Sequence, residues 1–152
     1  MRLLFSVGVI IVLTTLGGCQ KTQSAPRAQD GVLDVSGWDF RGTEVLHLNG
    51  EWAFYWNQLL TPTTLSEAQN RQSIAVPGMW NNLAHPTAPG ETIGPLGYAT
   101  YVLKVRGLTS ETPQLAVQVP PVASAYELFW FSEKDPSTDT PLLSRGKVHA
   151  TE

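Results

Sequence analysis

Asn49-Gly50-Glu51-Trp52-Ala53-Phe54-Tyr55-Trp56 is the stretch whose periodicity decides the fold. Trp52, Phe54 and Trp56 alternate with Ala53 and Tyr55, a period of two that places three large rings on one face of an extended strand. Ahead of it, Val45 to Leu48 is a short apolar run, and Asn49-Gly50 is a pair able to take positive φ. Together these predict a hairpin.

The same period recurs outward along the chain. In Tyr98 to Arg106, Ala99, Tyr101, Leu103 and Val105 face one way while Thr100, Lys104 and Arg106 face the other, the pattern of a half-buried strand in an antiparallel sheet. Leu115, Val117 and Val119 repeat it. Tyr126 to Phe131 is apolar on both faces apart from Glu127 and predicts a central strand. Leu33 to Val35, Ser73 to Val76 and Leu142 to Val148 are shorter strand candidates. The one helical signal is Thr64-Leu65-Ser66-Glu67, a capping-box pattern that Asn70 limits to about two turns. About eight short strands between Pro-Gly, Asn-Gly and Pro-Pro punctuation predict an all-β chain folded as an antiparallel β-sandwich.

Composition agrees with that class. The chain has 152 residues, close to one domain, and its 13 Gly, 11 Pro and 15% charged residues describe a turn-rich globular chain rather than a coiled coil or a disordered one. Lys and Arg number 10 against 13 Asp and Glu, a net charge of −3, with no basic cluster. No nucleic-acid partner is expected. A single cysteine leaves no pair for a disulfide within the chain.

That cysteine sits at the end of a leader. Met1-Arg2 is followed by an uncharged apolar run from Leu3 to Leu16 and then by Leu16-Gly17-Gly18-Cys19. Residues 1–18 read as a signal peptide, too short as a helix to cross the ~30 Å hydrocarbon core. Leu-Gly-Gly-Cys resembles the bacterial lipobox, which implies cleavage before Cys19 and lipidation of its sulfur. Gln20 resembles the residue that lets such lipoproteins travel to the outer membrane. Residues 19–30 lack large apolar side chains and read as a flexible tether, and residues 31–152 as the folded domain.

Catalytic patterns are missing from the sequence. His47, His85 and His149 are scattered without metal-ligand spacing, and no spacing requires Glu51 with Glu91, or Asp39 with Glu51, to act as an acid/base pair. No glycine-rich phosphate loop opens a helix. No enzyme activity, metal or cofactor is expected. A binding role is better supported, because the connection Asn81 to Gly97 is long enough to bind something or to be disordered. Trp80, Asn81, Asn82 and His85 at its mouth, with Glu91 and Tyr98 at its far side, offer an aromatic face and the hydrogen-bonding groups that sugars use. Trp80 also follows the Pro77-Gly78 turn in a way that suits a core plug, and the core reading is the stronger of the two. For Trp52 and Trp56 a core position is favoured outright.

Gly37-Trp38-Asp39-Phe40, Leu48 to Trp56, Val76-Pro77-Gly78-Met79-Trp80 and Gly97-Tyr98-Ala99-Thr100-Tyr101 stand in that order. The ordered set resembles the type 2 extracellular sensor domain of bacterial seven-transmembrane receptors with diverse intracellular signalling modules (7TMR-DISM). That domain is similar to the galactose-binding-like jelly roll at the start of family 2 glycoside hydrolases. The resemblance spans Gly31 to Val148 and implies a non-catalytic sensor facing the periplasm or cell exterior. Its ligand would be a carbohydrate or another small molecule, and it would be held to the membrane by a lipid anchor or a transmembrane region. Two departures stand out. Ser132-Glu133-Lys134-Asp135-Pro136 replaces the family's Asn-Gly turn, and the chain stops at Glu152, where the family continues through further strands. The expectation is therefore a jelly roll truncated at its C-terminus, with an exposed sheet edge. A free-standing envelope lipoprotein that binds glycans or proteins, and the first domain of a secreted glycoside hydrolase, are the alternatives.

Overall fold

The computed structural model describes residues 24–42, 44–136 and 138–148. The expected leader over residues 1–18, the expected lipid acceptor Cys19 and the first residues of the expected tether lie outside them. Among the described residues no helix is long and apolar enough to cross a membrane. The chain is essentially all-β, with antiparallel pairing dominant. Its strands are β1 (Val32–Asp34), β2 (Gly50–Trp56), β3 (Gln72–Val76), β4 (Ala99–Val102), β5 (Lys104–Arg106), β6 (Tyr126–Leu128) and β7 (Leu143–Arg145). A 3-10 turn, Leu65–Glu67, stands where the capping box predicts a helix. The Thr64 hydroxyl is engaged elsewhere, accepting from the Thr61 amide at 2.9 Å, so it does not cap that turn.

β2 is the centre of a three-stranded antiparallel sheet in the order β3-β2-β4. Register sets Trp52 beside Ile74, Phe54 beside both Gln72 and Tyr101, and Trp56 beside Ala99. One face of β2 thus enters a core of Phe54, Trp56, Ile74 and Ile93, with Trp52, Trp80 and Tyr101 packed against it. Phe54 is fully buried, worth about 2–3 kcal/mol of transfer free energy. Ala53 and Tyr55 on the other face are buried too. Beside Tyr55, the Thr100 hydroxyl donates to the Gln58 carbonyl at 2.7 Å and accepts from the Leu60 amide at 2.9 Å, fastening the chain after β2 across that face.

The hairpin predicted across Asn49-Gly50 does not form. Residues 44–49 make no strand, and Val45 is exposed. The slot beside Gly50 is taken by Ala28, whose amide donates to the Asn49 carbonyl at 2.9 Å and whose carbonyl accepts from the Glu51 amide at 2.9 Å. Gly50, at φ 129°, is required because any Cβ there would strike the Ala28 backbone. The two-residue hairpin lies earlier, at Asp30-Gly31. Gln29 and Val32 exchange both backbone hydrogen bonds at 2.9 Å around φ values of 45° and 76°. The packed chain therefore begins before Gly31, and Ala28, 3% exposed, belongs to the fold rather than to the tether.

That turn sends β1 back alongside β5 in parallel, a departure from an all-antiparallel arrangement. Ala28, Leu33 and Val35 form a second core, against which Leu46, Leu48, Leu103 and Val105 pack. The strand predicted over Tyr98 to Arg106 breaks at Leu103, so β4 serves the first core and β5 the second. Trp52 touches both cores, and its Nε1 donates to the Leu48 carbonyl at 2.9 Å.

The C-terminal part departs furthest from the sequence reading. Leu115 to Val119 is unpaired, and only Tyr126–Leu128 of the supposed central strand is extended, paired with β7 alone. Trp130 is 52% exposed. Apolar residues on both faces predict burial only when partner strands are present, and among the described residues β6 has one. This part is fastened through polar links. The Asp139 carboxylate accepts from the Thr63 amide at 3.1 Å and from its hydroxyl at 2.6 Å, and Glu133 pairs with Lys104.

Two tests follow from this packing. Phe54→Ala removes the ring at the centre of the first core and is expected to cost about 3–5 kcal/mol in urea denaturation. Hydrogen bonds from Ser36 hold the Asp34 carboxyl below its usual value, those from Lys104 do so for Glu133, and those from Thr63 for Asp139. A depressed folded-state pKa stabilises above the ordinary carboxylate range, and that stability is lost as the pH falls through the lower folded-state value. The melting temperature is expected to fall on acidification below about pH 4, less steeply in Asp139→Asn than in the parent.

Candidate ligand groove

The connection Asn81 to Gly97 is the lid of the first core and not a structureless loop. Ile93, 1% exposed, points into that core. Its amide donates to the Leu83 carbonyl at 2.8 Å, and its carbonyl accepts from the Asn82 amide at 3.1 Å. Ala84 bridges Thr92, and the His85 amide donates to the Glu91 carbonyl at 2.9 Å. The chain thus doubles back on itself over the aromatic face of β2. Gly97 closes it against Trp56, whose ring occupies the space a Cβ would need.

At the edge of this lid lies an open groove of about 350 Å³. Three pieces of chain form it: Trp56-Asn57-Gln58 leaving β2, Glu67 to Asn70 approaching β3, and His85-Pro86-Thr87 from the lid. β2 and β3 are antiparallel, so the exit of one lies beside the entry of the other. Asn57 at φ 54° and Asn70 at φ 51° turn the chain at both rims, a left-handed conformation that asparagine tolerates better than most residues. Gln58 fixes the wall. Its Nε2 donates to the Gln69 carbonyl at 2.8 Å, and its Oε1 accepts from the Gln69 amide at 3.0 Å. The side-chain amides of Asn57, Gln69 and Asn70 and the Glu67 carboxylate, all on exposed residues, and the Trp56 indole N–H have no side-chain hydrogen bond among the described residues. His85 accepts weakly at Nδ1 from the Thr87 amide at 3.4 Å, which leaves Nε2 unengaged. The groove therefore combines several uncommitted amide donors and acceptors with a carboxylate, an imidazole and an indole.

Of the residues singled out from the sequence, only His85 lines this groove. Trp80 packs in the core, its ring centroid 6.4 Å from Phe54 and 5.5 Å from Trp56, with Nε1 donating to the Gly94 carbonyl at 3.1 Å. Asn81 is half-buried and Asn82 is exposed at φ 78° within the lid. Glu91 is exposed, and its carbonyl serves the lid's own hydrogen bonding. Tyr98 stands one step behind the groove, its carbonyl accepting from the Asn57 amide at 3.0 Å. Glu51 follows the face of Ala53 while Glu91 belongs to the lid over the opposite face, so the sheet separates these two carboxylates.

A second cavity of about 290 Å³ lies where β1 and β5 leave their parallel pair, between Val35 to Arg41 and Gly107 to Pro113. Its polar groups are partly consumed in turns. Asp39 accepts from the Arg41 amide at 3.0 Å, and the Thr112 hydroxyl accepts from the Thr109 amide at 2.9 Å. Among the described residues no group of three or more His, Cys, Asp or Glu side chains could hold a metal ion. Comparisons with family models, with curated proteins and with solved structures returned no match.

The rim geometry is testable on its own. Asn57→Val forces a β-branched residue into the left-handed region and is expected to cost about 1–2 kcal/mol in denaturant unfolding. Asn57→Gly should be close to neutral in the same measurement.

Proposed function

We propose that this chain is the extracytoplasmic ligand-sensing domain of a bacterial membrane receptor, folded as a jelly-roll β-sandwich like the receptor sensor domains its ordered Trp segments resemble. In this reading it has no catalytic activity of its own. It faces the periplasm or cell exterior and is held at the membrane through a lipid on Cys19 or a transmembrane region. Its ligand is an uncharged carbohydrate or a similar hydroxyl-rich small molecule. The observation that supports this best is the groove beside Trp56. Uncommitted amides of Asn57, Gln69 and Asn70 can each donate and accept, which suits the hydroxyl array of a sugar, and the indole edge supplies an apolar flank. Binding needs no charge neutralisation there, since Glu67 is the one carboxylate among the lining residues.

The test is titration calorimetry of the full chain in detergent against neutral mono- and oligosaccharides. A saccharide should bind, and Gln69→Ala and His85→Ala should each weaken it by up to about tenfold, the loss of one or two hydrogen bonds at about 0.5–1.5 kcal/mol each. Absence of binding across the panel, or binding indifferent to both substitutions, would contradict the proposal.

A further inference from the structure

Gln72 is a polar residue on an apolar face. β3 alternates Gln72, Ile74 and Val76 on one side, and register sets Gln72 opposite Phe54, whose side chain enters the first core. Ile74 and Val76 pack into that core as the alternation requires. The Gln72 amide instead divides between two surroundings. Its Nε2 donates to the Ala84 carbonyl at 2.8 Å, while its Oε1 is buried without a hydrogen-bond partner. A buried acceptor left unpaired is destabilising, so stability does not account for a glutamine here.

The bond to Ala84 reaches the groove. The Ala84 carbonyl and the His85 amide belong to one planar trans peptide unit and point opposite ways. The amide donates to the Glu91 carbonyl at 2.9 Å, across the lid, and the carbonyl turns to Gln72. Gln72 thus holds, from the sheet, the peptide that carries His85 to the groove wall. Among the described residues no other hydrogen bond runs from β2 or β3 to residues 82–85. The lid tip beyond His85 has little support of its own, since a side chain at Gly90 would meet no atom within 4 Å.

We propose, resting on the reading of the groove as a saccharide site, that Gln72 is its positioning residue. It sets where His85 stands against Gln69 and Asn70, and so how tightly a hydroxyl-rich ligand is held between them. Leucine at position 72 would complete the core and leave the His85 peptide unheld.

The experiment combines amide exchange and titration calorimetry on the full chain carrying Gln72→Leu. The variant should melt at or above the parent's temperature, because leucine removes the unpaired acceptor and the carbonyl of the exposed Ala84 can turn to water. The His85 amide should exchange about fivefold faster, the effect of one lost hydrogen bond, with the Ile93 and β2 amides unchanged. The tightest-binding member of the neutral saccharide panel should bind at least about threefold more weakly. Acting through His85, Gln72→Leu should weaken binding no further when added to His85→Ala. Gln72→Met makes the same comparison if the leucine variant does not fold. Unaltered His85 exchange, equal acceleration at His85, Ile93 and β2, or additive losses in the double variant would overturn the proposal. A parent chain that binds no saccharide overturns the groove reading and with it the role in binding, whereas unaltered His85 exchange overturns Gln72's part alone.

Discussion

The Phe54 ring has to be covered, and most of the structure follows from how that is done. It lies at zero exposure with the Tyr101 ring edge-on at 5.1 Å and 70°, and Trp56 stacked beside it at 6.4 Å and 25°. β3 and β4 supply the flanks through register, but a sheet cannot cover its own face. The cover comes from Trp80, Leu83 and Ile93, which belong to the connection between β3 and β4. A stretch rich in proline and glycine is therefore ordered because it is core. The groove forms where this cover meets the edge of the sheet, at the point where Trp56 turns from packing residue to wall.

A second constraint is that one long strand serves two cores. β4 gives Ala99 and Tyr101 to the first, and after the break at Leu103 β5 gives Val105 to the second. Trp52 spans both, and its indole N–H is satisfied by the Leu48 carbonyl. That bond ties the irregular stretch 44–49 to the sheet without making it a strand. The Asp30-Gly31 turn places β1 in the space that opens where β5 diverges from the start of β2. The outer link between Arg71 and Asp30, at 2.7 Å, is solvent-exposed and adds little to stability.

The alternation of Trp52, Phe54 and Trp56 was legible in the sequence, as were β1, β3 and the β4–β5 strand, because side-chain period is a local property. Partner choice is not local. Asn49-Gly50 looks like a hairpin turn, yet Gly50 is glycine because Ala28 comes too close for any side chain, a fact set by a residue 22 positions earlier. Asp30-Gly31 carries the same turn chemistry but was masked by the polar composition before it. Alternation in Leu115 to Val119 records which face is apolar and is silent on what covers it. At the groove, His85 could be singled out beside a long connection. Gln58, Gln69 and Asn70 could not, since three separate pieces of chain bring them together and no motif joins them. The alternation of β2 predicts Trp56 as core, and at 8% exposure it is core, with one edge also forming the groove wall.

Hydrogen exchange tests the central claim that the β3–β4 connection is part of the core. The Ile93 amide, bonded to the Leu83 carbonyl at 2.8 Å beneath the lid, should exchange only by global unfolding, with the same protection as the amides of β2. Exchange of Ile93 at the rate of an open loop, while β2 stays protected, would show that the aromatic face is covered by something else.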